Sequence, residues 1–359
     1  MFYACILAGG SGTRLWPISR KSSPKQTQPF IDDKTLLQKT YERLTQKFST
    51  ETIWIATGQA DKIFIDQQLP QFPKNQLSLE PARRDTAAAI GLATLLIHHA
   101  DPNSSMININ SDAYVVDETI YIDAISTLEQ FLEDHPNYIA GLGIPPTHPE
   151  TGYGYIKRGV KCEVRNTKFE IYEVDEFKEK PDLETAKQYL ASGEYLWNPT
   201  LFAWKTSTML ELFEQYVPVI YQKLMEIQPY LGTGKQQEMI DTLYPEIEKI
   251  SIDYAIFERA EHMAVLPVNF GWSDVGSWGA LYNLQDKDSN GNVTKGDVVT
   301  VNAKNNIIYS QDKKVIAVAG LDNIVVVDTP DALLICDQKN TQQVKDIVEK
   351  LKEENQQYL

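Results

Sequence analysis

With 359 residues the chain is long enough for a large core, and for one big domain plus a smaller one. Its charged fraction of 23% and apolar fraction of 42% are ordinary for a globular protein. The net charge of −15 argues against a general nucleic-acid binder, which is usually basic, but leaves a nucleotide substrate open.

Phe2 to Ala8 reads as a short buried strand that stops abruptly at Gly9, Gly10, Ser11 and Gly12. Thr13, Arg14, Arg20, Lys21 and Lys25 follow, so an acidic chain has a locally basic beginning. Bare glycines let a backbone turn sharply and approach a ligand, and successive N–H groups in such a turn make an anion-binding concavity. The stretch is therefore expected to be a phosphate-binding loop; a glycine-rich turn without a ligand is the plainer alternative. It is neither common nucleotide loop. No Gly-Lys-Ser/Thr follows it, and Leu15 stands where a dinucleotide fingerprint needs glycine.

Leu37, Tyr41, Leu44 and Phe48 mark a helix over Leu36 to Phe48. Thr52 to Ala56 is a strand and Gln59 to Leu69 a weaker helix. Leu77 to Leu79 is a strand leading into Glu80-Pro81-Ala82-Arg83-Arg84-Asp85-Thr86 and an alanine-rich helix over Ala87 to His99, with Asp85 or Thr86 as N-cap. Met106 to Asn110 (strand, ending at Ser111-Asp112), Ile120 to Leu132 (helix) and Tyr138 to Ile144 (strand) continue the alternation. The pattern implies an α/β fold, a mostly parallel Rossmann-like sheet with helices on both faces. Ligands bind such sheets beyond the carboxyl ends of the strands, where the glycine loop and Asp112 are both expected.

The middle third is less regular. An aromatic-glycine strand follows Pro145 to Thr151, Phe169 to Phe177 alternates loosely, and helices are expected over Leu183 to Ala191, about Ser207 to Leu243, and from Ile252 to Arg259. Met263 to Val268 is a strand delivering Phe270-Gly-Trp-Ser-Asp274-Val-Gly-Ser-Trp278. The Asp, Ser, Asn and Gly of residues 286–292 mark a boundary, giving domains 1–288 and 289–359. The second contains short β-rich runs and an amphipathic last helix with Val344, Ile347, Val348 and Leu351 on one face.

Two isolated acids, Asp112 and Asp274, are the sharpest chemical candidates. A pair of carboxylates near phosphates suits Mg²⁺, which takes few protein ligands; the alternative is that each caps a loop or helix. Lys180 is placed to hold a second phosphate and Glu179 to accept from sugar hydroxyls, against the plainer reading of a surface charge pair. Gly152, Tyr153 and Gly154 offer a wall for a small ligand, and Asn198 a hydrogen-bonding amide; packing glycines and a turn residue are the alternatives. The five histidines form no metal-ligand pattern, and no Gly-x-Ser-x-Gly elbow is present. Cys5, Cys162 and Cys336 have neither zinc nor disulfide-framework spacing, so a reducing cytoplasm is the expected compartment. No signal peptide and no stretch of roughly 20 apolar residues for a membrane span is seen.

Leu7-Ala8-Gly9-Gly10-Ser11-Gly12-Thr13-Arg14-Leu15-Trp16-Pro17 with Pro24-Lys25-Gln26 resembles the signature of the sugar nucleotidyltransferases, and within them the bacterial mannose-1-phosphate guanylyltransferases. The likeness continues through Glu80-Pro81, Arg84 to Ala87, Pro149 to Ile156, Glu179-Lys180-Pro181, Ser251 to Ala255, Phe270 to Trp278 and Gly320 to Ala332, essentially the whole chain. The resemblance implies transfer of GMP from GTP to mannose 1-phosphate. It implies that Leu7 to Arg14 cradle the nucleotide, that Arg14 stabilises pyrophosphate and Lys25 bridges the phosphates, and that Lys180 holds the sugar phosphate. Asp112 and Asp274 would bind Mg²⁺. Tyr153, Gly154, Glu179 and Asn198 would face the sugar, with Glu80, Pro81, Arg84, Asp85 and Thr86 near the base. It further implies a small left-handed β-helix-like tail domain and, with no isomerase extension following, no isomerase activity. Three positions depart from the family pattern: Ala113 stands for His, Asp85 for Asn, and Pro199-Thr200 for a small residue plus Gly. Another hexose 1-phosphate or nucleotide, or a catalytically silent regulatory subunit, are the alternative readings; a homodimer is compatible with all of them, and neither nucleic acid nor membrane is an expected partner.

Overall fold

A computed structural model describes residues 1–10, 12–164 and 167–359. The strands are β1 (Phe2–Leu7), β2 (Ile53–Gly58), β3 (Leu77–Glu80), β4 (Ser105–Asn110), β5 (Ile139–Gly143), β6 (Gly154–Cys162), β7 (Ile171–Lys178), β8 (Tyr195–Asn198), β9 (Phe202–Lys205) and β10 (Met263–Pro267). Shorter ones follow: β11 (Val293–Lys295), β12 (Val298–Val301), β13 (Ile307–Ser310), β14 (Ile316–Ala319), β15 (Ile324–Asp328) and β16 (Leu333–Asp337). The helices are α1 (Leu36–Leu44), α2 (Lys62–Gln68), α3 (Asp85–Ala100), α4 (Glu118–Asp134), α5 (Leu183–Ser192), α6 (Thr206–Tyr216), α7 (Pro218–Ile227), α8 (Gln236–Leu243), α9 (Trp278–Leu284) and α10 (Val344–Glu354). Among the described residues no helix is long and apolar enough to cross a membrane.

Packing groups the chain into two units that interleave along the sequence. One comprises Met1–Gly9, Thr40–Ser111 and Val115–Trp272; the other comprises Gly10–Lys39, Asp112–Tyr114 and Ser273–Leu359.

The first unit is built on a ten-stranded sheet in the order β3-β2-β1-β4-β9-β5-β10-β7-β6-β8. Strands β1 to β6 and β10 share one direction, whereas β7, β8 and β9 oppose it. The expected large, mixed, mostly parallel sheet is thus present. Both of its faces are covered: β1 buries Tyr3 and Cys5 in a cluster with α3 and α6, while Ala4 and Ile6, pointing the other way, are equally buried.

One segment without an expected element takes shape, and two local expectations are corrected. The segment after Tyr195 forms two strands, and β9 inserts antiparallel between β4 and β5. Room for it comes from Gly141, where a Cβ would stand 2.3 Å from the Phe202 ring. Neither Asp85 nor Thr86 is the N-cap of α3, which is Arg84. Residues 252–259 hold a single π-turn over Asp253–Phe257 instead of an ordinary helix, and it turns Asp253 inward.

The second unit ends in coils of parallel strands. Val293 pairs with Ile307 and Ile307 with Val325 along β11, β13 and β15, and β12 pairs with β14. Asparagines stitch the coils: Asn292 Oδ1 accepts from Asn306 N at 3.1 Å, and Asn306 Oδ1 accepts from Ile324 N at 2.9 Å. The strand cores Val293, Ile307 and Val325 pack in one cluster with Leu15, Trp16, Phe30, Trp278 and, from α10, Val344 and Val348.

Candidate active site

In the second unit the chain turns at Gly10 and Gly12, with φ 95° and 57°. A Cβ on Gly12 would stand 2.4 Å from Lys25 Cβ, so the bare glycine is what lets the lysine stem pack across the turn. Ser11 lies outside the described residues. Thr13–Leu15 is a short 3-10 turn, and Arg14 is exposed with no hydrogen bond or ion pair among the described residues. In the first unit, Leu7 and Ala8 stay in the sheet: Leu7 O accepts from Ser111 and Ala8 N donates to Ala56 O at 2.8 Å.

Lys25 is only 5% exposed. Its Nζ lies 2.8 Å from Asp112 Oδ2 and donates to the Asp274 carbonyl. Asp112 and Asp274 are brought together by a two-residue antiparallel bridge, Tyr114 N to Ser273 O at 2.8 Å and Ser273 N to Tyr114 O at 3.0 Å. Asp274 Oδ1 accepts from Gly276 N at 3.1 Å, and a Cβ on Gly276 would meet Oδ2 at 2.4 Å. Val275 between them takes φ 46°, a strained value for a β-branched residue. Two carboxylates held this way are hard oxygen donors. No group of three or more His, Cys, Asp or Glu that could hold an ion exists among the described residues. That donor set fits a hard divalent cation completed by phosphate and water, and does not fit a fully protein-caged metal.

A second cluster lies in the first unit, on β6, β8 and the end of β7. Gly154 and Asn198 are register partners in the ladder. A Cβ on Gly154 would be 2.5 Å from Glu179 Oε2 and 3.2 Å from Asn198 Cβ. Glu179 is buried, and its Oε1 accepts from Lys180 Nζ at 2.7 Å. Lys180 takes φ 45°, which turns its half-exposed side chain out of the strand direction. Burial pulls its ammonium down, but Glu179 and Asp253 outweigh that and hold it above the ordinary lysine value. Asn198 Nδ2 donates to Asp253 Oδ1 at 3.1 Å, and Asn198 Oδ1 accepts from Thr200 N at 2.7 Å. Burial, then the neighbouring Glu179 charge, push Asp253 up to about 7. Tyr153 packs edge-on between Trp197 and Trp272, at centroid distances of 5.4 and 5.2 Å.

The third sequence-predicted group is at the end of β3, also in the first unit. Burial pushes Glu80 up to about 7, while the Tyr244 hydroxyl, donating to its Oε2 at 2.5 Å, pulls the other way. Arg84 donates to Pro245 O, and its Nε is buried without a hydrogen-bond partner among the described residues. Pro81 and Thr86 are half-buried, and Thr86 Oγ1 accepts from Ile252 N at 2.9 Å. Asp85 takes φ 65°, a left-handed conformation that Asp and Asn both tolerate. Thr200 takes φ 58° where the family pattern has glycine.

Two residues of these clusters carried no role in the sequence reading. Asp253 lies in the expected helix from Ile252 to Arg259, and Tyr244 is far from any motif. The available signals were the Ser251 to Ala255 stretch of the resemblance and an acid alone among Ile252, Tyr254, Ala255 and Ile256.

Residues 3–291 match the family model described as nucleotidyl transferase, and residues 296–351 match the MannoseP isomerase/GMP-like beta-helix domain. A mannose-1-phosphate guanylyltransferase of Salmonella montevideo is 38% identical over 359 residues, covering 99% of this chain and 75% of that protein. The enzyme of the same name from Escherichia coli is 37% identical over 358 residues, covering 98% and 73%. A crystal structure from Thermus thermophilus, described as a mannose-1-phosphate geranyltransferase, aligns with TM-score 0.85 at 32% identity, covering 98% of this chain and 99% of that one.

Proposed function

The chain belongs to the nucleotidyl transferase family, and from that premise we propose that it transfers GMP from GTP to α-D-mannose 1-phosphate, giving GDP-mannose and pyrophosphate. An oxygen of the sugar phosphate attacks the α-phosphorus of GTP. The bond from that phosphorus to the oxygen bridging to the β-phosphorus breaks, and pyrophosphate leaves on the opposite side. Such a reaction needs alignment and charge neutralisation more than a nucleophilic side chain.

The observation that carries this reading is Lys25, buried with its ammonium against Asp112 and the Asp274 carbonyl. A buried cation fixed beside the Asp112 carboxylate and the backbone of a second aspartate suits a polyphosphate and its counter-ion. The stretch from Leu7 to Arg14 cradles the nucleotide. Arg14, free of internal partners among the described residues, meets the departing pyrophosphate. Lys25 neutralises the reacting phosphates, and Lys180 holds the sugar phosphate. Glu179 and Asn198 bond sugar hydroxyls, with Tyr153 and Gly154 alongside; Glu80, Pro81, Arg84, Asp85 and Thr86 serve the base. Asp112 and Asp274 would hold Mg²⁺, which when bound supplies charge neutralisation on the phosphates. We assign the transfer to residues 1–288, with 289–359 as a β-helix-like domain, and place the protein in the cytoplasm.

Pyrophosphate release over a grid of nucleoside triphosphates and hexose 1-phosphates, with and without Mg²⁺, tests the assignment. A maximum with GTP and mannose 1-phosphate is expected. Silence across the whole grid would leave a binding protein, and a maximum elsewhere would move the substrate.

A further inference from the structure

The segment that carries Arg14 and Lys25 is fastened at both ends by residues from the far end of the sequence. Upstream of Lys25, the Trp278 indole N–H donates to Trp16 O at 3.1 Å, and the Trp16 indole N–H donates to Tyr358 O at 2.9 Å. Downstream, Phe30 O accepts from the Tyr309 hydroxyl and from Gln285 Nε2, each at 2.7 Å, and Lys295 Nζ donates to Pro29 O at 2.8 Å.

Between these anchors lies a closed turn. Arg20 and Ser23 exchange backbone hydrogen bonds at 3.0 and 3.2 Å, and Ser23 Oγ donates to Ile18 O at 2.8 Å. Pro24 and Lys25 follow directly. The turn is tied down through the Arg20 guanidinium. Its Nη1 and Nη2 donate to Asp331 Oδ2 and Oδ1, both at 2.7 Å, Nη2 also reaches Thr329 Oγ1 at 3.2 Å, and Nε donates to Pro17 O at 2.6 Å. The fork is two-pronged and the arginine side chain is only 12% exposed, so it is better ordered than an ordinary surface pair. Asp331 is set in turn by the Thr329–Ala332 turn that joins β15 to β16.

We propose that Arg20 and Asp331 form a positioning clamp through which the tail β-domain sets the Lys25 turn for triphosphate binding. Neither residue touches substrate in this reading. The pair acts by fixing where Lys25 sits relative to Asp112 and Asp274. The inference rests on the proposed role of Lys25, and the tail domain thereby becomes part of the nucleotide half of the enzyme.

The test compares Arg20→Gln, Asp331→Asn, the double variant and Asp331→Glu in the full chain. Amide hydrogen exchange over residues 18–28 and calorimetric titration with Mg·GTP are read first, because neither needs turnover. Each single variant should speed exchange across that segment and weaken Mg·GTP binding about tenfold, the scale of one lost charge-assisted hydrogen bond. The double variant should be no worse than either single one, because the two side chains act as one unit. Asp331→Glu, which keeps the fork, should recover most of the affinity. In turnover assays KM for the triphosphate should rise while KM for the sugar phosphate stays constant. Wild-type exchange over 18–28 in both single variants, additive losses, or equal changes in both KM values would overturn the clamp. If Asp331→Asn melts the tail domain, Arg20→Gln, which lies outside it, decides alone. An absence of any turnover, with exchange and GTP binding responding as expected, would instead count against the proposed reaction and leave the clamp standing.

Discussion

The cluster around Lys25 and the cluster around Glu179 are assembled in opposite ways. The first gathers loop residues from three remote stretches, Gly12 and Lys25, Asp112, and Asp274, joined by a two-residue bridge and one buried ammonium. The second sits on neighbouring strands, where ladder register alone brings Gly154 opposite Asn198. A site for charge neutralisation needs groups that converge from several directions. A site for orienting hydroxyls needs a rigid surface, and a sheet already provides one. The loop-built cluster therefore depends on outside fastening, as at Arg20, and the sheet-built one depends on buried partners, as at Asp253.

The comparison breaks most sharply at Asp274. Asp274→Asn keeps Oδ1 as acceptor for Gly276 N and removes only charge. Turnover should fall about 10²–10³-fold, the scale of losing one transition-state electrostatic contact. The melting midpoint should stay put. Near-normal pyrophosphate release at saturating Mg²⁺ would show that the carboxylate has no role with the phosphates.

A pair of alanine substitutions separates the two clusters. In Gly12→Ala the new Cβ collides with Lys25 Cβ, an atom too close to the backbone to give way, and the φ of 57° adds strain. In Gly154→Ala it collides with Glu179 Oε2, the end of a buried side chain. Displacements of about 1 Å at reacting groups can cost on the order of 10²-fold. Gly12→Ala should raise KM for the triphosphate and Gly154→Ala that for the sugar phosphate, each leaving the other nearly constant. Steady-state kinetics with both substrates varied would refute the division if the two variants moved the same KM.

How much of this was legible depends on what each residue needed. Lys25, Asp112 and Asp274 stood out because charged residues in loops after apolar runs have no local structural task. The strands β1 to β5 were readable from short, largely apolar runs alternating with helical segments. Strand β9 was not, because its place depends on distant partners. Asn108 donates to Thr200 O at 2.7 Å and accepts from Phe202 N at 3.2 Å, and Gly141 clears the space. Asp253 was hidden for a similar reason: an ordinary helix over Ile252 to Arg259 gives it no special place, and the π-turn over Asp253–Phe257 buries it.

Asp253 offers the next test, through pH. Its carboxyl is pushed up from an ordinary value of 3.8 to about 7 in the folded chain. A raised value means the folded state binds the extra proton, so its contribution is fully present below about pH 4 and is lost as pH rises through about 7. Asp253→Asn still accepts from Asn198 and removes the carboxylate charge beside Glu179. It should therefore be more stable than the parent by about 1–4 kcal/mol above pH 7, with the advantage shrinking steadily as pH falls towards 4. Thermal melts from pH 4 to pH 9 check this. A difference independent of pH would mean that Asp253 does not carry that proton.

The smallest effect is expected at Thr200, and it bears on how the sheet-built cluster tolerates strain. Threonine there holds φ 58°, and its N–H caps Asn198 Oδ1 at 2.7 Å. A left-handed conformation costs a non-glycine residue about 1–2 kcal/mol. Glycine removes that cost but loses about 0.5–1 kcal/mol more chain entropy on folding. The hydrogen bond is from the backbone and survives in Thr200→Gly. The net gain should then be about 0.5 kcal/mol, seen as a higher urea midpoint at constant m. KM for the sugar phosphate should not move, because Asn198 keeps both of its bonds. A loss of stability would show that the threonine side chain packs usefully at the β8–β9 turn. A changed sugar KM would mean that the backbone at 200, and not Asn198 alone, sets the sugar side of the cluster.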